Sequence, residues 1–406
     1  MNIMSIPRGK IYHKIFFDFK FLAKSFYLKL ENHKVIEEFE SLFAKNLNTK
    51  FCVSFPYARS AVYHSLKTQN FPVGSEIIMP PITIKPMLDA VLLLNLKPVF
   101  VDIDLDTLSF ELEELKKAIG EKTKAVLLTY LFGIVPDIEK LFQIFRDKGL
   151  FVIEDFSQCL NGVFNGDFIG TFGDVGVYSS SSTKTLDTFG GGICITSSED
   201  MYKKLKIIQN KLTKPSRKRI IKIIIQDLFR NILTSKLIFS LFTFQIIKFL
   251  EYLKNNSTIY MVGKRPTIIS KEAPNFWFEK YSTIQAKAGI DILKKNIIAK
   301  QDLNRIENTL KIKQHFKSLN FPLSNFGVNV YWQCLVYSEN VGRIRKIFRK
   351  NNIDTASTSL LLISELLENA KKTQNAQYLI NNSFFIPNYS YLTNYELNKI
   401  RSTKVE

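Results

Sequence analysis

Between residues 50 and 200 the chain alternates short apolar β-type runs with stretches of helical periodicity, and this alternation restricts its fold more than any other feature. The strand candidates are FCVS (51–54), EIIMP (76–80), PVFVD (98–102), KAVLLTY (124–130), LFVIED (150–155), VGVYS (175–179) and GICIT (192–196). Helical patterns at 58–69, 84–95, 110–119 and 137–148 lie between most of them, and VIEEFESLFAKNL (35–47) reads as an amphipathic helix ahead of the first. Strands this apolar, joined by crossovers, predict an α/β fold with its sheet covered on both faces. A helical stretch over 282–317 follows. Strand-like VNVYWQCLVY (328–337) and helical RIRKIFRKNN (343–352) then predict a smaller α+β domain over the last segment. Two domains suit 406 residues.

The formal net charge is +19, and it is unevenly placed. Residues 1–34 carry seven Lys/Arg against two acids, and residues 203–248 carry twelve against Asp227 alone, so the remainder is nearly neutral. In 218–233 the polar Lys218, Lys222, Gln226 and Arg230 fall four apart, with Ile221, Ile224, Ile225, Leu228 and Ile232 covering most of the rest of a helix. An eleven-residue uncharged run, LIFSLFTFQII (237–247), comes next. It spans roughly 16 Å as a helix, about half a bilayer core, so an interfacial or shallowly re-entrant segment is expected in preference to a spanning one. The first 34 residues repeat the mixture of Phe and Lys. The alternative is that both segments pack on the protein or on a partner subunit. Nucleic-acid binding is disfavoured, because the basic residues alternate with Ile, Leu and Phe and sit on no recognisable motif.

Four scattered cysteines without CxxC spacing point to a reducing cytosol, and the N-terminus shows no signal-peptide pattern. Walker A and GxGxxG motifs are absent. His13, His33, His64 and His315 are far apart in the chain and are read as surface or packing residues, with no metal set expected. Candidate chemistry gathers instead where strands end, the usual ligand edge of such a sheet. Asp155 closes one strand and Gln158 follows it; Ser179 closes another, and the loop SSSTK then delivers Lys184 before the Gly190-Gly191-Gly192 turn. Singly, a strand-end Asp serves equally as a helix cap, and a loop Lys is usually only solvated.

Taken in order, VIEDFSQCLNG (152–162) and GDFIGTFGDVGVYSSSSTKTLDTFGGGICIT (166–196) resemble the DegT/DnrJ/EryC1/StrS family of sugar aminotransferases. So do EIIMPPIT (76–83), 97–119, 123–141, YSTIQAKAG (281–289) and FFIPNYSYLTNYELNKI (384–400). The resemblance implies pyridoxal-phosphate-dependent fold type I, with a mainly parallel seven-stranded sheet. It also implies pyridoxal 5'-phosphate as cofactor, an amino-acid donor (glutamate by expectation), a keto-sugar acceptor and a homodimer. By the same resemblance, Lys184 binds the cofactor aldehyde and moves protons, and Asp155 pairs with the pyridine nitrogen. Gln158 meets the phenolic oxygen and Ser179 the phosphate. The family's Ser-Gly-Thr-Ala phosphate turn reads Tyr57-Ala58-Arg59-Ser60 here, which makes Ala58, Arg59 and Ser60 cofactor contacts.

Three departures from the family pattern stand out. Ile84 replaces an aromatic that stacks on the ring. The Asn-x-Arg pair lent to the neighbouring subunit reads Phe278 and Lys280. The small-domain substrate loop is hard to place near 354–372. The expected organisation is a basic aromatic segment (1–34), a large cofactor domain (35–205), a basic insert (206–269) and a small domain (270–406). The expected location is cytoplasmic, with residues 216–253 offering a contact to an anionic membrane surface.

Overall fold

A computed structural model describes residues 4–253, 267–368 and 370–405; residues 254–266 of the expected insert lie outside them. All seven expected strands form: β1 (Phe51–Phe55), β2 (Glu76–Met79), β3 (Lys97–Phe100), β4 (Thr123–Thr129), β5 (Phe151–Asp155), β6 (Val175–Ser179) and β7 (Gly192–Thr196). They make one sheet in the order β1-β7-β6-β5-β4-β2-β3. Pairing is parallel from β6 through β3, and antiparallel where β7 meets β6 and β1.

The strands read as unbroken apolar runs because both faces are buried. Ile78, Val126, Leu128 and Val152 face one core, and Ile77, Ala125, Leu127 and Ile153, one residue out of phase, face the other. α1 (Ile15–Tyr27) precedes the body, and α2 (His33–Asn46) puts Phe39 and Phe43 fully into the first core. Each such ring contributes about 2–3 kcal/mol by burial. α3 (Ala58–Lys67) leaves β1, and α4 (Glu199–Lys211) returns from β7 to pack on β1.

The basic segment forms α5 (Arg217–Leu233), which lies along α1. Lys218, Lys222, Gln226 and Arg230 are exposed as expected. The other face is less apolar than the sequence suggests: Asp227 and Asn231 are buried beside Ile220, Ile224 and Leu228. Ile225, Phe229 and Leu233 join the exposed side. A second helical stretch follows at Lys236–Leu250, bent 63° from the first. Among the described residues no single helix is long and apolar enough to cross a membrane, although this bent pair passes that test by length and composition.

The expected 282–317 helix is two helices, α6 (Thr283–Leu293) and α7 (Ile297–His315), divided at Asn296, which adopts the left-handed conformation at φ 48°. The strand-like run 328–337 yields only the four residues of β8 (Cys334–Tyr337), paired antiparallel with β9 (Ser383–Ile386). Its first half is drawn instead to the large domain, where the N–H groups of Val330 and Tyr331 donate to the Gly133 carbonyl at 2.9 and 3.3 Å. Ile6 joins the small-domain core and bridges Ile353, so the start of the chain is stitched to its last domain.

Candidate active site

β5 and β6 are parallel neighbours, and their carboxyl ends bring Asp155 and Ser179 to one edge. Asp155 is 5% exposed, and its Oδ1 accepts the Ser157 N–H at 3.0 Å. The Ser157 hydroxyl in turn accepts the Ser179 N–H at 2.9 Å, which locks the two strand ends together. Burial pushes the Asp155 carboxyl up from its ordinary range, while hydrogen bonds from Ser157 and the charge of Lys184 pull it back. Gln158 is also buried, and its Oε1 accepts the Phe132 N–H at 2.8 Å. Ser179 Oγ lies 3.0 Å from Ser181 Oγ.

The loop that carries Lys184 is held from every side. Thr183 takes a positive φ of 73°, and the Lys184 N–H donates to the Ser181 carbonyl at 3.0 Å. Trp332 donates its indole N–H to the Thr183 carbonyl at 3.0 Å, and the Lys184 ammonium sits 3.9 Å from the centre of that ring. Fully buried Arg305 reaches Thr185 Oγ1 at 3.4 Å, Tyr12 OH at 3.0 Å, the Val330 carbonyl at 2.7 Å and Asp302 at 2.6 Å. The sequence flagged neither Trp332 nor Arg305. Trp332 lay inside a strand-like run, and Arg305 on a helix gives no local signal of burial.

The glycine turn serves the neighbouring chain. A Cβ on Gly192 would stand 2.1–2.3 Å from the Tyr57 carbonyl group and the Ala58 nitrogen, so only glycine lets β7 pass under the start of α3. There Ala58 and Ser60 are buried, and Ser60 Oγ has no hydrogen-bond partner. No side chain caps this helix. An unpaired buried hydroxyl beside free helix N–H groups suits an anion. The Arg59 guanidinium lies over Tyr57 at 4.5 Å and near Phe276 at 5.8 Å from the ring centres. Ile84 is half-buried at the start of the next helix, against the second core. Lys280 pairs with Glu31 at 3.2 Å and opens on a cleft of about 450 Å³ between Glu31, Glu37, Lys206 and Tyr281, which none of Asp155, Gln158, Ser179 and Lys184 lines. Within one chain Lys280 is therefore not brought to the Lys184 edge.

His13 departs from the expected surface or packing role, because the fold draws it between carboxylates. Its Nδ1 is 3.0 Å from Asp18, and its Nε2 is 3.4 Å from Asp187. His64 does pack in the core, against Phe55, Tyr63 and Phe278.

The profile of the DegT/DnrJ/EryC1/StrS aminotransferase family matches residues 25–225. An uncharacterized protein of Methanocaldococcus jannaschii is 34% identical over 172 residues, covering 42% of this chain and 45% of that one. GDP-perosamine synthase of Escherichia coli O157:H7 is 29% identical over 167 residues, covering 41% and 46%. The chain thus spans about half the length of the curated relatives it matches. The fold likeness runs further. An aminotransferase from Psychrobacter cryohalolentis superposes with a TM-score of 0.75 over 98% of both chains at 17% identity. The Helicobacter pylori aminotransferase involved in pseudoaminic acid biosynthesis gives 0.73 over 98% of both at 18%. The architecture is that of fold type I.

Proposed function

We propose, from the premise that residues 25–225 of this chain belong to the DegT/DnrJ/EryC1/StrS aminotransferase family, that the protein is a pyridoxal 5'-phosphate-dependent sugar aminotransferase. The observation that carries the reading is the convergence of buried Asp155 and Gln158 with half-buried Ser179 and Lys184 at one sheet edge, with the charge of Lys184 acting on Asp155. The donor set fits the cofactor: a carboxylate for a ring nitrogen, an amide for a phenolic oxygen, and Ser179, Ser60 and the start of α3 for a phosphate. When bound, pyridoxal phosphate supplies an electron sink for a carbanion.

The chain's residues do the rest. Asp155, buried at its strand end, would hold positive charge on the ring nitrogen, sheltered from water. Lys184 would supply the amine that holds the cofactor and would carry a proton at its Nζ. Trp332 sets where that amine rests, and Thr183, bonded to the same indole, fixes the loop's path. Arg59, stacked on Tyr57, adds positive charge beside Ala58 and Ser60.

The amino donor is an amino acid, glutamate by expectation, and the acceptor is a keto-sugar on a nucleotide or lipid-diphosphate carrier in glycan biosynthesis. Pyridoxal-phosphate sugar dehydratases of this fold typically carry histidine in place of the lysine, so Lys184 favours amino transfer. Borohydride reduction followed by peptide mapping is expected to find a phosphopyridoxyl group on Lys184. No bound cofactor, or a label elsewhere, refutes the assignment.

The working domain division falls near residues 35, 205 and 269. Homodimerisation completes the site, with Lys280 as the residue lent to the neighbour. The enzyme works in the cytoplasm at the inner face of the cell membrane. That placement is supported by exposed Phe16, Phe19 and Phe26 on α1 and by Phe229, Phe242 and Phe249 on the bent pair, among lysines balanced by no exposed acid in 203–248. Anionic lipid attracts such lysines by about 1 kcal/mol each near the surface. Anionic vesicles are expected to float the full-length protein, and Phe242→Ser with Phe249→Ser to abolish flotation. Protein that stays at the bottom, or variants that lose their dimer instead, overturns the membrane contact.

A further inference from the structure

His13, Asp187 and Asp227 come from the N-terminal segment, the lysine loop and α5, yet one ligand atom from each lies within 4.8 Å of the others, and all three residues are buried. Most of the other polar atoms around them already have a partner. His13 Nδ1 faces Asp18 Oδ1 at 3.0 Å, and Asn231 donates to the other Asp18 oxygen at 2.6 Å. Asp187 Oδ1 accepts the Phe189 N–H at 2.9 Å. Asp227 Oδ1 accepts the Ser182 hydroxyl at 2.5 Å and Arg230 at 3.1 Å. What is left is Asp227 Oδ2, together with His13 Nε2 and Asp187 Oδ2, which face each other at 3.4 Å without a hydrogen bond. The two carboxylate oxygens accept no hydrogen bond, although both side chains are fully buried.

The geometry points to a divalent metal ion bound by His13 Nε2, Asp187 Oδ2 and Asp227 Oδ2. Three carboxylates, from Asp18, Asp187 and Asp227, stand against the single guanidinium of Arg230. With a neutral imidazole a dication brings the cluster to zero, whereas without it three carboxylates face one guanidinium and at most one imidazolium. The Asp18 carboxylate receiving the far ring N–H is the usual support of a metal-bound histidine. One nitrogen and two oxygens select a borderline cation such as Zn²⁺ or Mn²⁺ over Ca²⁺ or Mg²⁺. Such an ion would fasten α5 and the N-terminal segment to the loop that presents Lys184, two residues beyond Ser182.

The test uses full-length protein stripped with chelator and then titrated with Mn²⁺ or Zn²⁺, reading metal per chain and melting temperature. One ion per chain is expected, with the melting temperature rising with metal concentration. Asp227→Asn and, separately, Asp187→Asn should each weaken binding at least tenfold, while Lys222→Gln on the exposed face of α5 should leave it unchanged. Circular dichroism of the stripped variants checks that they fold. The inference is overturned if the stripped wild-type protein takes up neither ion stoichiometrically, in which case a His13 imidazolium bridging Asp18 and Asp187 explains the cluster alone. Uptake that survives in both folded Asp variants overturns it equally.

Discussion

Asp155 and His64 show how one residue's setting decides its chemistry. Asp155 is buried at a strand end, and its charge is supported by the Ser157 N–H and by nearby Lys184. Asp155→Asn keeps the shape and removes the charge, so the variant should still take up cofactor but lose turnover by about a hundredfold or more. Single-turnover rates with glutamate measure this, and equal rates contradict the role. His64 is buried among aromatic rings with neither ring nitrogen paired. Burial, helped by Lys67, pushes it down to about 4. The unfolded chain therefore binds the proton first, and stability is lost as pH falls from about 6.5 toward 4, by roughly 2 kcal/mol at pH 5. His64→Phe should flatten that dependence, as read from guanidinium melts at pH 7 and pH 5. Identical pH dependence in the two proteins refutes it.

Among the elements, β7 and α3 depend on each other through Gly192. A methyl group there meets backbone atoms of Tyr57 and Ala58 that have no flexible side chain to yield. Gly192→Ala should cost about 3 kcal/mol in denaturant unfolding and also weaken cofactor retention, because the start of α3 is displaced. Fluorescence-monitored urea melts and the bound-cofactor absorbance report the two effects, and a variant with wild-type values in both excludes the coupling. α5 shows the opposite kind of dependence. Its Asp227 and Arg230 reach Ser182, and Arg219 grips Glu279 with two bonds of 2.5 and 2.7 Å, so the basic helix is anchored beside the site while its Phe229 side stays open.

At the scale of the whole molecule, the lysine loop is where all parts of the chain meet. The N-terminal segment reaches it through His13, the basic helix through Asp227, and the small domain through Trp332 and through Arg305, which Tyr12 also contacts. Lys280 pairs with Glu31 on a cleft that no residue of this loop lines, which suits a residue offered to a second copy. Sedimentation of the cofactor-loaded protein should therefore give a dimer, and Lys280→Ala should lower cofactor affinity without lowering the melting temperature. An active, loaded monomer would refute the shared site.

The seven strands, their burial on both faces and the Asp155–Gln158–Ser179–Lys184 order were legible in the sequence, because short unbroken apolar runs and strand-end polar residues are local signals. So was the basic, aromatic character of α1 and α5. The partition of the 328–337 run was not, since the Gly133 carbonyl that captures Val330 and Tyr331 lies about two hundred residues away in the chain. Nor was the burial of Asp227, Asn231 and Arg305, because a polar residue on an amphipathic helix looks solvated until a partner from elsewhere neutralises it. His13 and Asp187 are separated by more than 170 positions, and a few ångströms in space. Proximity of that kind is set by packing of the whole chain, and only the tertiary structure decides it.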